Sequence, residues 1–343
     1  MKSSDSRLRQ ALALAALTVL TSCSASDSPS RLDRIQDRGF VTCGVWTGIA
    51  GFATADEDGH YQGMDVEVCR AVAAAIFGSP ENVAYVRAEN VQQIEDDEDL
   101  DIISRRITWS LTRAASNNLM FGPVIFYDGQ GFLVPRASGI ESVDDLAGKS
   151  VCVQTVERHA ATLAAFALER GLDISSVPID TDEEAQTALQ SGRCAAFSAD
   201  VSWLGSAKLK FSGTPDDYVI FPDLISKEPL APLVRMGDDQ FFEIVRWSVF
   251  AMIAAEEFGI NSKNVEAARE VRDPEILRLL GVVPGNGAVL GLDEDWASNI
   301  IKTVGNYGEI YARNVGADSA INLDRGLNKL WTDGGLMFAP RLR

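Results

Sequence analysis

Residues 150–198 read SVCVQTVERHAATLAAFALERGLDISSVPIDTDEEAQTALQSGRCAAFS, and this stretch decides the fold class. Three short runs with the composition of strands alternate with two helical segments, and the second helix begins at the capping sequence Thr181-Asp182-Glu183-Glu184 and ends at Gly192. The predicted strands and helices, in chain order, are 150–154, 158–170, 177, 181–192 and 194–198. Because strands that alternate with helices form a parallel sheet with covered faces, the stretch predicts an α/β unit.

A similar unit precedes this one, and a helical region follows it. Residues 40–46 predict a strand, Asp65 can cap a helix that ends before Gly78, and further strands are predicted at 83–86 and 100–105. Beyond residue 229, apolar residues recur at helical spacing, and we interpret the aromatic residues among them as core. The sequence therefore predicts two α/β units and a C-terminal helical extension.

Two extended segments connect the predicted units. The chain leaves the first unit through 129–135 and returns near 227–234. Two connections between two units indicate a hinge with a cleft between the lobes. The predicted boundaries, in chain order, are lobe 1 at 31–134 and 229–343, including the C-terminal helices, and lobe 2 at 135–228.

The N-terminal residues have the order of a secretory signal. Positive charges precede an almost uninterrupted apolar run at 11–20, which is about half the length that a transmembrane helix requires. The run leads into Leu20-Thr21-Ser22-Cys23, which resembles the lipobox that lipoprotein signal peptidases recognise. We expect a signal peptide at 1–22, a lipid on Cys23 and a flexible tether at 23–30. A non-lipidated signal that is cleaved nearby is the alternative.

The lipid on Cys23 is the predicted attachment to the membrane, since no other segment of the chain is long and apolar enough to cross one. The body of the protein is then exported and held at the cell membrane, facing the periplasm or the cell exterior. The chain carries 49 acidic and 31 basic side chains, a net charge of −18, which excludes nucleic acid because phosphate contact needs clustered Lys and Arg.

Setting Cys23 aside leaves an even set of four cysteines, Cys43, Cys69, Cys152 and Cys194. An even set in an oxidising compartment predicts two disulfides. Three connectivities are possible, and the most economical one joins the close pair in each half of the chain, Cys43 with Cys69 and Cys152 with Cys194. The spacings lack a CxxC pair and the chain has only 2 histidines, so no zinc site is predicted.

Motifs of catalysis are absent from the sequence. No Gly-rich phosphate loop follows a predicted strand, and there is neither a GxSxG nor an HExxH sequence. His60 and His159 have no obvious nucleophilic partner. We therefore predict no catalytic residues, no metal and no cofactor.

Several stretches recur in order along the chain and together carry a family resemblance. They are ISRRITWSLTR at 103–113, YDGQGF at 127–132, ISKEPL at 225–230, GMDVEVCRAVA at 63–73, GDDQ at 237–240, VGNYGEI at 304–310 and GGLM at 334–337. They resemble the periplasmic or extracellular solute-binding proteins of family 3, which serve polar amino-acid ABC importers, and most closely the general L-amino-acid branch. The four cysteines also fall where that branch places its own.

The resemblance implies a two-lobed clamshell fold, type II in strand order, that binds a free amino acid between its lobes. Carried over by position, Arg113 binds the α-carboxylate with Thr108, Ser110 lies nearby, and Asp200 holds the α-ammonium. A planar guanidinium meets a carboxylate with two charge-assisted hydrogen bonds, which agrees with this role. Without the resemblance, an Arg or Asp at a strand end is more often a cap or a surface ion pair.

Three departures from the family surround the expected pocket. After the predicted strand and Thr155, the usual Gly-Thr-Thr type turn is replaced by Val156-Glu157-Arg158-His159, where Arg158 can offset the negative charge of Glu157. Trp46 stands where relatives have a small polar residue, and 91–95 replaces a segment that carries an aromatic residue. We treat Trp46, Thr155 and Arg158 as additional ligand-binding candidates. The departures predict altered specificity, for an aromatic, modified or non-standard amino acid. The rival interpretation is that binding has weakened and the protein serves another role.

The sequence thus predicts a solute-binding lipoprotein that delivers a polar or modified amino acid to ABC permease subunits. A sensory or interaction lipoprotein with the same fold is the first alternative. A clamshell dehydratase is the second, because a few relatives act on amino-acid precursors.

Overall fold

The computed structural model describes residues 29–116, 118–155, 159–211 and 213–342. The predicted signal peptide, Cys23, most of the tether and Arg158 lie outside these residues. No helix within the described ranges has the length and apolarity that crossing a membrane requires.

The first part of lobe 1 alternates short strands with helices, as predicted. Its elements, in chain order, are α1 (Arg31–Arg38), β1 (Val41–Val45), β2 (Thr54–Ala55), β3 (Tyr61–Gln62), α2 (Met64–Phe77), β4 (Val83–Arg87), α3 (Gln93–Asp96), β5 (Ile102–Ile103), α4 (Leu111–Ser116) and β6 (Leu119–Phe121). Strand β1 pairs in parallel with β4 and β5. Helix α2 covers the sheet with an almost entirely buried surface, so it is a core helix rather than an amphipathic surface helix.

Helix α2 starts at Met64, one residue before the predicted cap. Gly63 precedes it with φ 132°, and a Cβ there would lie 2.1 Å from the carbonyl oxygen of Phe52, so only glycine fits. Asp65 therefore lies within the first turn, where it is 1% exposed. The prediction that Asp65 caps the helix is wrong, because its carboxylate accepts hydrogen bonds from the hydroxyl of Ser104 and the backbone N–H of Arg106 instead.

Lobe 2 begins after strand β7 (Phe126–Asp128). Its elements, in chain order, are β8 (Gln130–Pro135), β9 (Ser150–Gln154), α5 (His159–Arg170), β10 (Ser175–Ile179), α6 (Asp182–Gln190), β11 (Ala196–Asp200), α7 (Val201–Lys210) and β12 (Tyr218–Ile220). The hydroxyl of Thr181 accepts the backbone N–H of Glu184 and caps α6, as its sequence predicted. Strand β9 pairs in parallel with β10 and β11.

The chain then returns to lobe 1. The remaining elements are β13 (Glu228–Leu230), β14 (Leu233–Arg235), α8 (Asp239–Glu257), α9 (Val265–Ala268), α10 (Pro274–Leu279), α11 (Asn286–Leu290), α12 (Trp296–Thr303) and α13 (Tyr307–Asn314). Helices α8 and α12 pack on α2 and extend the core of lobe 1. Tyr307 and Trp296 are each 2% exposed and belong to this core, and Trp247 is half-buried and packs against it. Trp331 and Phe338 of the same extension are exposed.

Both sheets have the same strand order. In lobe 1 the order is β4-β1-β5-β14-β6, and in lobe 2 it is β10-β9-β11-β8-β12. In each sheet, the strand that enters from the other lobe, β14 or β8, is the fourth in this order and is antiparallel to both of its neighbours. The prediction of a two-lobed α/β clamshell of type II strand order is thereby confirmed.

The lobes are joined by two antiparallel strands, since β7 pairs with β13. Residues 130–135 were predicted to be a connection that ends lobe 1 at residue 134. They form β8 instead, whose hydrogen bonds to β11 and β12 place it in the sheet of lobe 2. The first boundary therefore lies before residue 130, because the extended run is a sheet strand and the hinge is shorter than the sequence indicated.

Both predicted disulfides are present. Cys43 of β1 is bonded to Cys69 of α2, and Cys152 of β9 is bonded to Cys194, which precedes β11. Each disulfide joins elements within one lobe, so neither restricts movement between the lobes.

We expect the Cys152→Ala/Cys194→Ala variant to lose about 4 kcal/mol of unfolding free energy, because the bond restricts a long loop of the unfolded chain. The bonded cysteines are 42 residues apart in sequence. Urea unfolding of the exported chain, followed by circular dichroism, measures this loss. Reducing conditions serve as the control: there both proteins also lack the Cys43–Cys69 bond, so their unfolding free energies should become nearly equal. Equal stability of variant and oxidised wild type would contradict the expectation.

Candidate functional site

A cavity of about 410 Å³ lies in the cleft between the lobes. Its walls come from both sides of the hinge. They consist of Trp46, Ile49, Val91, Arg105, Arg106, Ile107, Thr108 and Arg113 from lobe 1, and Gln154, His159, Asp200 and Trp203 from lobe 2. The volume falls in the range of small-molecule sites.

The wall of lobe 1 is shaped by the turn that follows β5. Asp65 holds this turn, since its buried carboxylate accepts the hydroxyl of Ser104 and the N–H of Arg106, each at 3.2 Å. Arg106 has φ 56°, a left-handed conformation that costs a residue with a side chain about 1–2 kcal/mol. Burial raises the pKa of Asp65 to about 6, although the hydrogen bond from Arg106 and its positive charge oppose the shift.

Arg113 and Thr108 lie next to each other on this wall. Arg113 is in the first turn of α4, and its guanidinium donates a 2.9 Å hydrogen bond to the carbonyl oxygen of Thr108. Thr108 is itself bridged to Leu230 of β13, so this part of the wall is fixed to the hinge. Ser110 accepts the backbone N–H of Arg113 at 3.4 Å and is not among the residues that line the cavity.

Trp46 lies on the same wall and contacts an arginine. The guanidinium of Arg105 lies over its ring, 4.4 Å from the centroid, and donates a 2.7 Å hydrogen bond to the carbonyl oxygen of Glu89. An indole ring attracts a cation and also restricts its position. Burial lowers the pKa of Arg105 to about 10. The negative charges of Asp65 and Glu89 oppose this shift, and the positive charges of Arg113 and Arg106 add to it.

The wall of lobe 2 presents Asp200 and His159. Asp200 ends β11 and precedes α7, and its carboxylate Oδ1 lies 3.1 Å from Nε2 of His159, the first described residue of α5. Burial would raise the pKa of Asp200, but the hydrogen bond with His159 and the charge of Arg106 outweigh burial and hold that pKa below its ordinary value. The Asp200 side chain is 26% exposed, so it can still contact a ligand.

Arg106 spans the cleft and joins the lobes. Its Nε donates a 2.9 Å hydrogen bond to the hydroxyl of Ser202 in α7, and its Nη2 lies 3.8 Å from Asp200 and 3.9 Å from Asp128. A second contact between the lobes runs from the backbone N–H of Ala50 to the hydroxyl of Ser206, at 3.0 Å. The lobes are therefore in direct contact around the cavity.

Asp128 lies behind the cavity at the end of hinge strand β7. It is 3% exposed and accepts the backbone N–H groups of Gly129 and Ser202 as well as the hydroxyl of Ser202. Burial and the neighbouring charge of Asp200 raise the pKa of Asp128 to about 7, against the opposing charge of Arg106. A titratable carboxylate is thus enclosed at the hinge.

The structure brings four of the predicted site residues, Thr108, Arg113, Asp200 and Trp46, around one cavity. Thr155 does not line it; its hydroxyl donates to the carbonyl oxygen of Ile179. Sequence reasoning missed Arg105, Arg106 and His159 as site residues. Both arginines lie inside the motif at 103–113, so their position there was an available signal, whereas nothing in the sequence showed that His159 contacts Asp200.

A cluster of possible metal ligands lies far from these residues in sequence, although no metal was predicted. Asp56, Asp58 and His60 form it on an exposed turn. The carboxylate of Asp56 accepts the N–H groups of Asp58 and His60 and lies 3.2 Å from Nδ1 of His60. These hydrogen bonds account for the arrangement as a stabilised turn.

A second cavity, of about 480 Å³, lies between lobe 2 and the segment that follows α13. Apolar residues such as Phe126, Phe221 and Leu323 contribute to its walls. It contains none of the predicted ligand-binding residues, so the cleft cavity is the candidate site.

The sequence is similar to a known protein family and to characterised relatives. The family described as bacterial extracellular solute-binding proteins, family 3, matches residues 41–264. The general L-amino acid-binding periplasmic protein AapJ of Rhizobium johnstonii is 41% identical over 330 residues, 95% of this chain and 96% of AapJ. The glutamate/glutamine/aspartate/asparagine-binding protein BztA of Rhodobacter capsulatus is 42% identical over 335 residues, 97% of each chain.

A solved structure with the same fold supports the comparison. It is an ABC transporter periplasmic binding protein from Brucella ovis with glutathione bound, and it is 40% identical to this chain, with a TM-score of 0.80. The match covers 92% of this chain and 100% of the Brucella chain. The resemblance drawn from the sequence motifs is confirmed by these matches.

We expect the stability of the protein to respond to the ionisation of Asp128. Because the native state binds this proton more tightly than the unfolded chain does, stability is gained below the unfolded pKa of about 4 and lost as the pH rises through about 7. Asp128→Asn removes the titration, so its unfolding free energy should improve relative to wild type by up to about 1.4 kcal/mol for each pH unit in this window.

Urea unfolding at about pH 5 and about pH 8 measures the difference between the two proteins. The exposed Asp173→Asn serves as the control and should show no such trend. If Asp128→Asn and wild type differ in unfolding free energy by the same amount at both pH values, the pKa of Asp128 is not raised and the expectation is wrong.

Proposed function

This chain belongs to the bacterial extracellular solute-binding proteins of family 3, and on this premise we propose that it captures a polar or modified amino acid and delivers it to the permease subunits of an ABC importer. One observation carries the proposal: a single cavity presents an arginine on one lobe and a carboxylate on the other. The names of AapJ and BztA, which describe amino-acid binding, support the ligand class. These relatives are binding proteins, and we propose that this chain likewise binds without catalysis or a cofactor.

Arg113 and Thr108 bind the α-carboxylate in this proposal. A guanidinium forms charge-assisted hydrogen bonds with a carboxylate, and the bond from Arg113 to the carbonyl oxygen of Thr108 fixes its position. The Thr108 hydroxyl, at the same wall, is a second donor. Ser110 supports this region through the backbone of Arg113 rather than through contact with the ligand.

Asp200 binds the α-ammonium. Its Oδ1 is occupied by His159, while Oδ2 is 3.8 Å from the nearest nitrogen of Arg106, so that Oδ2 retains room for a donor. Because Arg113 and Asp200 lie on different lobes, one amino acid bridges the cleft. A ligand that contacts both lobes favours the closed form, since it binds that form with more interactions.

The departures from the family bear on specificity. Trp46 contacts Arg105 and leaves 41% of its own surface exposed at the cavity, so it forms a flat boundary of the ligand site. His159 takes the position of a turn that relatives use for carboxylate binding, and here it contacts Asp200. We propose that this site selects among amino acids and that binding is retained. Arg158, which lies outside the described residues, remains a candidate contact.

We further propose that the protein is exported and anchored by a lipid on Cys23. The family is extracellular, and the four other cysteines are joined in two disulfides, which suits an oxidising compartment. A lipid holds a receptor beside the membrane, where its permease lies. This anchor is the proposed sole attachment to the membrane.

We expect Arg113→Ala to abolish amino-acid binding. Removing the guanidinium leaves the ligand carboxylate enclosed without its charged donor, which costs at least about tenfold in affinity. Isothermal titration calorimetry of the mature chain against the common amino acids and glutathione measures the effect. Arg246→Ala is the matched control, because Arg246 pairs with Glu243 on α8, away from the cavity. Normal binding by Arg113→Ala, or no binding of any compound by wild type, would refute the proposed site.

We expect Cys23→Ser to release the protein from the membrane fraction, since a serine cannot receive the thioether-linked lipid. Fractionation of producing cells and metabolic labelling with a radioactive fatty acid measure attachment. Ser22→Ala is the control, because it changes the neighbouring residue to another small one and should still be labelled. Membrane attachment and labelling that persist in Cys23→Ser would place the anchor elsewhere.

A further inference from the structure

The cleft cavity is lined by more positively charged groups than the single carboxylate of a neutral amino acid can pair with. Three guanidinium groups, those of Arg105, Arg106 and Arg113, line it, whereas Asp200 is the only carboxylate among its described lining residues. Arg106 is already placed near Asp200 and Asp128, and Arg113 is assigned to the α-carboxylate. A zwitterionic ligand adds no net charge, so it leaves the charge of Arg105 without a counterpart.

Arg105 has partners that orient it but do not neutralise it. Its guanidinium is held by the ring of Trp46 and by the carbonyl oxygen of Glu89. Within the described parts of the chain no carboxylate forms an ion pair with it, and its Nε is buried without a hydrogen-bond acceptor. Because Nε is enclosed, a ligand carboxylate would meet the terminal nitrogens of this cavity-lining guanidinium, where it forms charge-assisted hydrogen bonds with a cation that has no carboxylate partner.

The buried carboxylates behind the cavity do not remove this need. Asp65 accepts hydrogen bonds from Ser104 and the backbone of Arg106, and Asp128 accepts them from Gly129 and Ser202. Neither side chain lines the cavity. The charges of Asp65 and of Glu89, which does not line the cavity either, lower the potential around Arg105, but in the described part of the chain neither carboxylate forms an ion pair with its guanidinium.

We propose that Arg105, positioned by Trp46, is a specificity-determining residue that binds a second carboxylate, at the end of the side chain of the ligand. This inference rests on the proposed amino-acid function and adds the ligand class: acidic amino acids and derivatives with a terminal carboxylate are preferred over their amides. The name of BztA includes both acids and amides, so this preference is not implied by family membership.

The physical reason for the preference is the difference between a charged and a neutral acceptor. A carboxylate forms charge-assisted hydrogen bonds with a guanidinium, which are about twice as strong as bonds between neutral groups. A terminal amide offers a single neutral oxygen, and its NH₂ group points donors at a cation. The cavity volume of about 410 Å³ also leaves space for side chains longer than that of glutamate.

Calorimetry of the mature chain with L-glutamate, L-glutamine, L-aspartate, L-asparagine and reduced glutathione tests the inference. Wild type should bind glutamate at least about tenfold more tightly than glutamine. Arg105→Gln should remove this preference by weakening glutamate binding, while glutamine affinity changes by less than about threefold. Retained glutamine binding also shows that the variant is folded.

Two further variants make the result specific. Lys302→Gln removes the same charge from lobe 1 at an exposed site paired with Glu266, outside the cavity, and should keep the wild-type preference. Arg105→Lys keeps the charge and should retain part of the preference for glutamate.

The outcomes separate this inference from the function on which it rests. Equal binding of acids and amides by wild type, or an equal loss for both in Arg105→Gln, would overturn the role of Arg105 and leave the amino-acid function intact. A failure of wild type to bind any of the five compounds would overturn both.

Discussion

The candidate site depends on the turn that follows β5, and the buried carboxylate of Asp65 fixes the backbone of that turn. It accepts hydrogen bonds from the hydroxyl of Ser104 and the N–H of Arg106 and so holds the turn after β5. In this turn Arg106 has a left-handed backbone conformation, which costs free energy for a residue with a side chain. The turn points Arg105 towards Trp46 and Arg106 across the cleft. A strained backbone of this kind persists only where its surroundings fix it, and here they are core helix α2 and strand β5.

The C-terminal segment of the chain contacts the hinge and fixes its position. The side-chain amide of Asn328 accepts the N–H of Tyr127 at 2.7 Å and donates to the carbonyl oxygen of the same residue at 3.2 Å. It thus pairs with β7 as a further strand would, on a strand whose other partner is β13. Arg325 nearby forms an ion pair with Glu256 of α8 and lies over the rings of Tyr307 and Tyr311. The C-terminal segment therefore anchors the hinge to the core of lobe 1.

The sequence predicted the fold well because its signals are local. Neighbouring residues alone indicate the alternation of strands and helices and the helix cap at Thr181. The spacing of the cysteines likewise indicates their pairing without knowledge of distant residues. The predictions from sequence were wrong where contacts with distant residues determine the local structure. Asp65 has the sequence position of a cap, but its partners are about forty residues away in the chain, and residues 130–135 look like a linker until β11 and β12 pair with them. Likewise, the contacts of Arg105 with Trp46 and of His159 with Asp200 join residues that no sequence spacing connects.

The contact between the lobes through Arg106 changes how ligand binding is coupled to closure. A ligand shifts a conformational equilibrium only by the difference between its affinities for the two forms. The contact between the lobes is stabilised in part by the protein itself, through the hydrogen bonds from Arg106 to Ser202 and from Ala50 to Ser206. Asp200 also forms a hydrogen bond with His159 of its own lobe. In the proposed binding mode, the ammonium group of a ligand supplies a smaller share of the closing free energy than it would between lobes with no contact of their own. Selectivity among amino acids would then depend on the side-chain anion that Arg105 faces, since every amino acid carries the α-carboxylate assigned to Arg113.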